Sequence, residues 1–159
     1  VDLPAGGRLL GLASGSETGW DTGCAWISEL VLEALLGSLQ RQRDPGLEGL
    51  DRALEAAARA LSAHPKTPAP DPDFSPSATL IVAYLGPAHA EIGWVGAERA
   101  VLIRNGTLAE ATRPHSLREM LLERGDLIPE GTVIPPVVTR ILSPQGVQGA
   151  AGRARWALE

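Results

Sequence analysis

Thr79-Leu80-Ile81-Val82-Ala83-Tyr84-Leu85 is followed at short intervals by His89-Ala90-Glu91-Ile92-Gly93-Trp94-Val95 and by Ala100-Val101-Leu102-Ile103. Each run has the length of a strand, is rich in aliphatic, β-branched or aromatic side chains, and is bounded by Gly, Pro or charge. The third runs into Arg104-Asn105-Gly106-Thr107, whose Asn-Gly pair suits a type I′ turn because both central residues there need positive φ. The spacing predicts an antiparallel meander, and that meander decides the fold class.

Upstream, residues 64–76 hold five prolines, at positions 65, 68, 70, 72 and 76, and no apolar period. They predict an extended, exposed connection that separates the sheet from what precedes it. Before it, Ile27, Leu30, Val31, Ala34, Leu35 and Leu39 recur at steps of three and four, the stripe of an amphipathic helix over 25–40. Asp44 and Pro45 offer an N-cap and a first-turn proline for a second helix, striped by Leu47, Leu50, Leu54, Ala57, Ala58 and Leu61. At the front, residues 8–13 read as a short apolar strand, and the small and polar residues 14–19 as the loop that ends it.

Downstream, Ser116-Leu117-Arg118-Glu119 matches a capping box, so a helix is expected to start there and to stop at Gly125. Two further β-like runs follow, 132–134 and 137–142, with Pro135 and Pro136 as the bend between them. There is no internal repeat. At 159 residues the chain fits one domain, 1–159, with the Pro-rich connection inside it.

Nineteen acidic against 14 basic side chains leave a formal charge of −5 with no basic run, which argues against nucleic acid as a partner. Cys24 is the lone cysteine, best read as a small buried side chain, and nothing implies an oxidising compartment. No window reaches the ~18 uninterrupted apolar residues of a membrane span, and the start at Val1 lacks signal-peptide regions, so a cytoplasmic setting is expected. The start without Met fits a piece of a longer protein.

Local motifs carry a resemblance. Residues 79–85, then Ile92-Gly93-Trp94-Val95-Gly96-Ala97-Glu98-Arg99-Ala100, then Arg104-Asn105-Gly106-Thr107-Leu108, then Thr112-Arg113-Pro114-His115-Ser116-Leu117 resemble, in order and spacing, the metal-dependent Ser/Thr phosphatase family (PPM, type 2C). In that family the second element ends in Gly-Asp-Ser-Arg and the fourth reads Thr-x-Asp-His-Ser. The likeness continues through residues 121–125 and 138–142, and Ser14-Gly15 stands where the family has an Asp-Gly metal motif. The resemblance implies an α/β fold: an abbreviated α/β/β/α sandwich of mainly antiparallel sheets flanked by helices, with strands missing at its edges.

It also implies a chemistry, two Mn²⁺ or Mg²⁺ ions held by carboxylates and activating a bridging water for attack on a phosphoryl group. Hard divalent ions need oxygen ligands, chiefly carboxylates. Here the family's acidic positions are Ser14, Ala97 and Pro114. Its further acidic motifs, an Arg and acidic pair before Asp-Gly and Asp residues near the end, have no counterpart in these residues. Glu17 and Asp21 are carboxylates in the first loop, better read as solvated than as ligands.

The retained positions have structural readings beside the functional ones. Gly96 suits a tight strand end, Arg99 an ion pair with Glu98 or another acid, and His115 a hydrogen-bonded imidazole. His64 and His89 have no ligand spacing and are expected to be exposed, while Trp26 and Trp94 belong to cores.

The resemblance therefore leaves two main functional readings, beside a third, a small ligand-binding sensor that uses the degenerate cleft. One is a non-catalytic module, without cofactor, that binds or regulates a protein partner in signalling, with Trp20 in the first loop as an anchor for that partner. The other is an active metal-dependent protein Ser/Thr phosphatase seen as an incomplete chain, using Mn²⁺ or Mg²⁺. A sheet trimmed at its edge also predicts a homodimer or partner capture through an open strand.

Overall fold

The computed structural model describes residues 1–3, 6–16, 24–42, 46–65, 67 and 76–158. At its centre β2 (Ser77–Leu85) runs antiparallel to β3 (His89–Val95), with Leu80 opposite Val95 and Leu85 opposite Ala90. The other edge of β2 carries β1 (Arg8–Ser16), in regular register from Arg8 opposite Leu85 to Ser16 opposite Ser77. Beyond β3 lies β8 (Gly152–Ala157), which sets Trp156 opposite Ala90. The short strands β6 (Leu142–Ser143) and β7 (Gly146–Val147) complete a six-stranded sheet through Ala78.

Helices α1 (Ala25–Gln40) and α2 (Leu50–Ala63) cover one face of this sheet. Ile27, Val31, Leu35 and Leu39 of α1, at the helical spacing of four, join Leu50, Leu54 and Leu61 of α2 and Leu80, Val82 and Val95 of the strands in one buried cluster. β2 is buried on both faces, which is why it reads as a continuous apolar run. Its Ile81 faces the second cluster, with Ala90, Ile92, Trp94 and Trp156.

That second face is half covered. The hairpin β4 (Val101–Arg104) and β5 (Thr107–Ala111) turns at Asn105 and Gly106, both at positive φ as the turn requires, and Leu102 with Ala100 packs on the cluster. Toward β1 the face is open: Leu10 and Leu12 are 47% and 60% exposed.

The fold class matches expectation, as a six-stranded sheet and a two-stranded one with three helices. Several details are corrected. β1 continues through Ser14, Gly15 and Ser16, because residues 77–79 of β2 supply a ladder that outweighs the weak strand preference of small polar residues. α2 starts at Leu50, with Gly49 at its N-cap and no side-chain cap; Asp44 and Pro45 lie outside the described residues.

The runs 132–134 and 137–142 form no strand short of Leu142. One bridge, Ser116 to Val138, is all the pairing that the Pro135-Pro136 pair leaves there. β8 was not foreseen. In the connection, Pro76 is buried rather than exposed, and residues 66 and 68–75 lie outside the described residues. Neither His64 nor His89 is fully exposed: one stacks on Trp26 at 4.5 Å between ring centres, the other places Nε2 3.3 Å from Glu91.

The short helix α3 (Leu117–Glu123) begins as expected, the Ser116 hydroxyl accepting the Glu119 N–H at 3.3 Å. The reciprocal arm of the capping box is not made, since the Ser116 N–H donates to the Pro114 carbonyl. α3 ends in a Schellman arrangement, Asp126 N–H to Leu121 and Gly125 N–H to Leu122, with Gly125 at φ +78°.

Candidate functional site

The motif positions converge where β1, β2 and β3 end. The ladder sets Ser14 opposite Thr79, so both hydroxyls lie on one sheet face. β3 closes at Val95, and Gly96 takes φ +110°; a Cβ there would fall on the Thr79 side chain, so only glycine passes this corner. Gly15 is a second close approach, since a Cβ on it would stand 2.6 Å from the Cys24 carbonyl at the head of α1.

The turn after Gly96 brings the Glu98 carboxylate back to Thr79, whose hydroxyl donates to Oε1. Oε2 is buried and has no hydrogen-bond partner among the described residues. Ala97 and Arg99 point to solvent, and Arg99 makes no ion pair among the described residues, against expectation. Glu98 is held by Thr79 instead.

The Pro114–His115 segment is fastened to the same corner. His115 N–H donates to the Gly96 carbonyl at 2.8 Å, and Gly96 N–H donates to His115 Nδ1 at 3.1 Å. Trp94 stacks on the imidazole with ring centres 5.9 Å apart and donates its Nε1–H to the Arg113 carbonyl at 2.8 Å.

Burial and the neighbouring Arg140 disfavour the protonated form of His115. Its Nδ1 accepts a hydrogen bond from the Gly96 N–H, and its Nε2 lies 3.0 Å from Arg140 Nη1, which also donates to the Ala150 carbonyl. Burial, then the Arg140 guanidinium, push the His115 pKa below its ordinary value, with Glu123 opposing. Through Nδ1 the imidazole ties the end of β3 to the Pro114–His115 segment.

The structure thus gathers Ser14, Gly96 and Glu98 around Thr79, ties His115 to Gly96, and leaves Ala97 and Arg99 exposed. Trp20, Glu17 and Asp21 lie outside the described residues. Thr79 and Arg140 were missed by sequence reasoning. The signal for Thr79 was available in its place at the start of the strand that pairs with Ser14; Arg140 is a lone cation in an apolar run and offered none.

These donors do not fit a two-metal centre. Ser14 is a neutral hydroxyl, Ala97 and Pro114 offer no ligand, and the one carboxylate that the described residues bring to Thr79, Glu98, has an oxygen already engaged there. Among the described residues no group of three or more His, Cys, Asp and Glu side chains could hold a metal ion.

No protein-family model and no curated protein matches the chain. Solved structures do. The Mycobacterium tuberculosis serine/threonine phosphatase PstP/Ppp superposes with a TM-score of 0.72 at 24% identity, over 96% of this chain and 64% of that one. Staphylococcus aureus serine/threonine phosphatase Stp1 gives 0.75 at 18% identity, over 99% and 63%. PppA, a key regulatory component of T6SS in Pseudomonas aeruginosa, gives 0.60 at 19% identity, over 96% and 73%. The PstP catalytic domain is also known in complex with two manganese ions, and it matches at 0.65 and 24% identity. This chain therefore spans 64% of the length of PstP/Ppp. At these identities the likeness speaks for architecture, and the chain has the fold of the serine/threonine phosphatases that its motifs resemble.

Proposed function

We propose that this chain is a non-catalytic phosphatase-like module that binds or regulates a protein partner in signalling. The observation that carries the reading is the Ser14–Thr79–Glu98 cluster, where the Ser14 hydroxyl stands in place of a family carboxylate and the acid nearby, Glu98, is tied to Thr79. A dication placed there would meet too little negative charge to replace its hydration shell. Loss of the acids at Ser14, Ala97 and Pro114 together is consistent with a scaffold retained for contact rather than for hydrolysis.

A contact surface is available at β1. Its outer edge is paired with Val1 at Leu9 and accepts Cys24 N–H at Gly15, while Gly11 and Ala13 between them have no outward backbone partner among the described residues. The exposed Leu10 and Leu12 lie before and within that stretch, which suits addition of a strand from a protein partner or a second copy. Among the described residues no helix is long and apolar enough to cross a membrane, and a cytoplasmic setting accords with the lone Cys24.

A second reading, an active Mn²⁺- or Mg²⁺-dependent protein Ser/Thr phosphatase of which this chain is a part, draws support from the 64% coverage and from the manganese complex of PstP. Calorimetric titration with Mn²⁺ separates the two. The first reading expects no saturable heat; micromolar binding lost on Glu98→Gln would favour the second.

A further inference from the structure

The His115 ring joins the end of β3 to the segment before β6: Gly96 N–H donates to Nδ1 at 3.1 Å, Arg140 Nη1 lies 3.0 Å from Nε2, and the Trp94 ring stacks on the imidazole. The part of the chain that hangs on this corner adds little burial of its own. No residue of α3 is buried, and the loop after it carries Leu127 and Val133 at 96% and 90% exposure. Backbone bonds hold this unit to itself, Leu117 N–H to the Val137 carbonyl and Thr139 N–H to the His115 carbonyl. Its ties to the end of β3 are the two His115–Gly96 bonds and the bond from Trp94 Nε1–H to the Arg113 carbonyl.

Both ring nitrogens face N–H groups. A neutral imidazole has one lone pair and one N–H, so it accepts from Gly96 and sets Nε2–H against the Arg140 guanidinium, or the reverse. The imidazolium carries a proton on each nitrogen and accepts from neither. The charged groups around the ring are Arg140 from the segment before β6 and Glu119 and Glu123 from α3, with Glu98 on the far side of Gly96. Glu119 pairs with Arg118 at 3.8 Å and Glu123 with Arg140 at 4.0 Å, and neither bonds the imidazole. Protonation in place therefore removes the accepted hydrogen bond and sets a buried cation beside a guanidinium, with no carboxylate in contact to offset it. Burial and Arg140 lower the pKa of the docked ring in the same sense.

We infer that His115 is an acid-released latch: on protonation its ring leaves the Gly96 corner, and α3 with the loop up to Thr139 undocks while β1, β2 and β3 stay folded. Those strands do not need the unit, since Leu80, Val82 and Val95 pack with α1 and α2 in the main cluster. Local opening of this kind draws on the least buried part of a fold. The released ring titrates near the ordinary 6.5 and the docked one lower, so docking is favoured above about pH 6.5. As pH falls from there toward the docked pKa, the opening constant rises by up to about tenfold per pH unit. The latch is distinct from capture of a strand at the outer edge of β1, and either can fail without the other.

Amide hydrogen exchange of the full chain tests it, read residue by residue by NMR at pH 7.5 and pH 5.5 and corrected for the intrinsic pH dependence of exchange. Protection of the Gly96, Leu117 and Thr139 amides is expected to fall several-fold, up to about tenfold, while Ile81 and Val82 in the central strand keep theirs. The Trp94 indole N–H resonance should move with the first group, since its acceptor is the Arg113 carbonyl. His115→Asn, which keeps an acceptor for Gly96 but takes up no proton, should remove the pH response at Leu117 and Thr139. Equal loss of protection in β2 would mean global unfolding and overturns the latch. So does unchanged protection at Gly96 and Thr139, or a pH response that persists in His115→Asn. The first two outcomes are read on the unaltered protein, so the test stands even where the variant does not fold.

Discussion

His115 and Gly96 bind each other twice: the Gly96 N–H donates to His115 Nδ1 at 3.1 Å, and the His115 N–H donates to the Gly96 carbonyl at 2.8 Å. The pair fastens the end of β3 to the start of α3. His115 then passes the tie onward, its carbonyl accepting the Thr139 N–H at 2.9 Å, so the segment around Thr139 is held by the same residue.

Stability is expected to fall in mild acid because of this tie. The folded pKa of His115 lies below its ordinary 6.5, so the unfolded chain takes up a proton more readily than the folded one. Its contribution is complete above about pH 6.5 and declines as pH drops through that value toward the folded pKa. Urea denaturation at pH 7.5 and pH 5.5 checks this. His115→Asn keeps an acceptor for Gly96 without a titrating ring and should flatten the difference; an equal pH dependence in both proteins would exclude His115 as the cause.

Gly96→Ala should destabilise by on the order of 1–3 kcal/mol or more, from a Cβ at φ +110° that also meets Thr79. Gly106→Ala is the control, since its turn has open space around it and retains only the backbone strain. Denaturant midpoints for the two variants should differ clearly, with the Gly96 variant less stable.

Leu80→Ala removes a fully buried side chain from the centre of the helix-covered cluster and should cost about 2–5 kcal/mol. The same change at Leu12, 60% exposed on the open face, should cost well under 1 kcal/mol, in the range of surface substitutions. Equal losses at the two sites would mean that the open face is covered in solution.

Self-association through β1 predicts an apparent mass that rises with concentration in light scattering. Leu12→Glu places a charge on the strand edge and should hold the protein monomeric without changing its circular dichroism. A mass that is constant across the range would leave the edge to a different protein.

Much of this was legible in the sequence. The four-residue spacing from Ile27 to Leu39 predicted α1 with its observed limits, and the Asn105-Gly106 turn and Ser116 cap stand where their side chains place them. What failed depended on partners distant in sequence. Ser14, Gly15 and Ser16 have no strand preference of their own and become strand because β2 pairs with them. Gly152–Ala157 carries two arginines and becomes β8 because β3 offers an edge, Arg153 bonding Asp51 at 2.9 Å on the way. The runs at 132–134 and 137–141 have the composition of strands but find no ladder beyond the single Ser116–Val138 bridge. The site was legible as a set of motif positions; that Thr79 is its hub follows only from cross-strand register.

The central proposal is that this scaffold persists without the manganese ions that its solved neighbour PstP binds. Turnover of p-nitrophenyl phosphate with saturating Mn²⁺, followed against protein concentration, tests it most directly. The account predicts a rate no greater than that of Mn²⁺ alone at every concentration. A rate proportional to protein, dependent on Mn²⁺ and reduced by Glu98→Gln would contradict it.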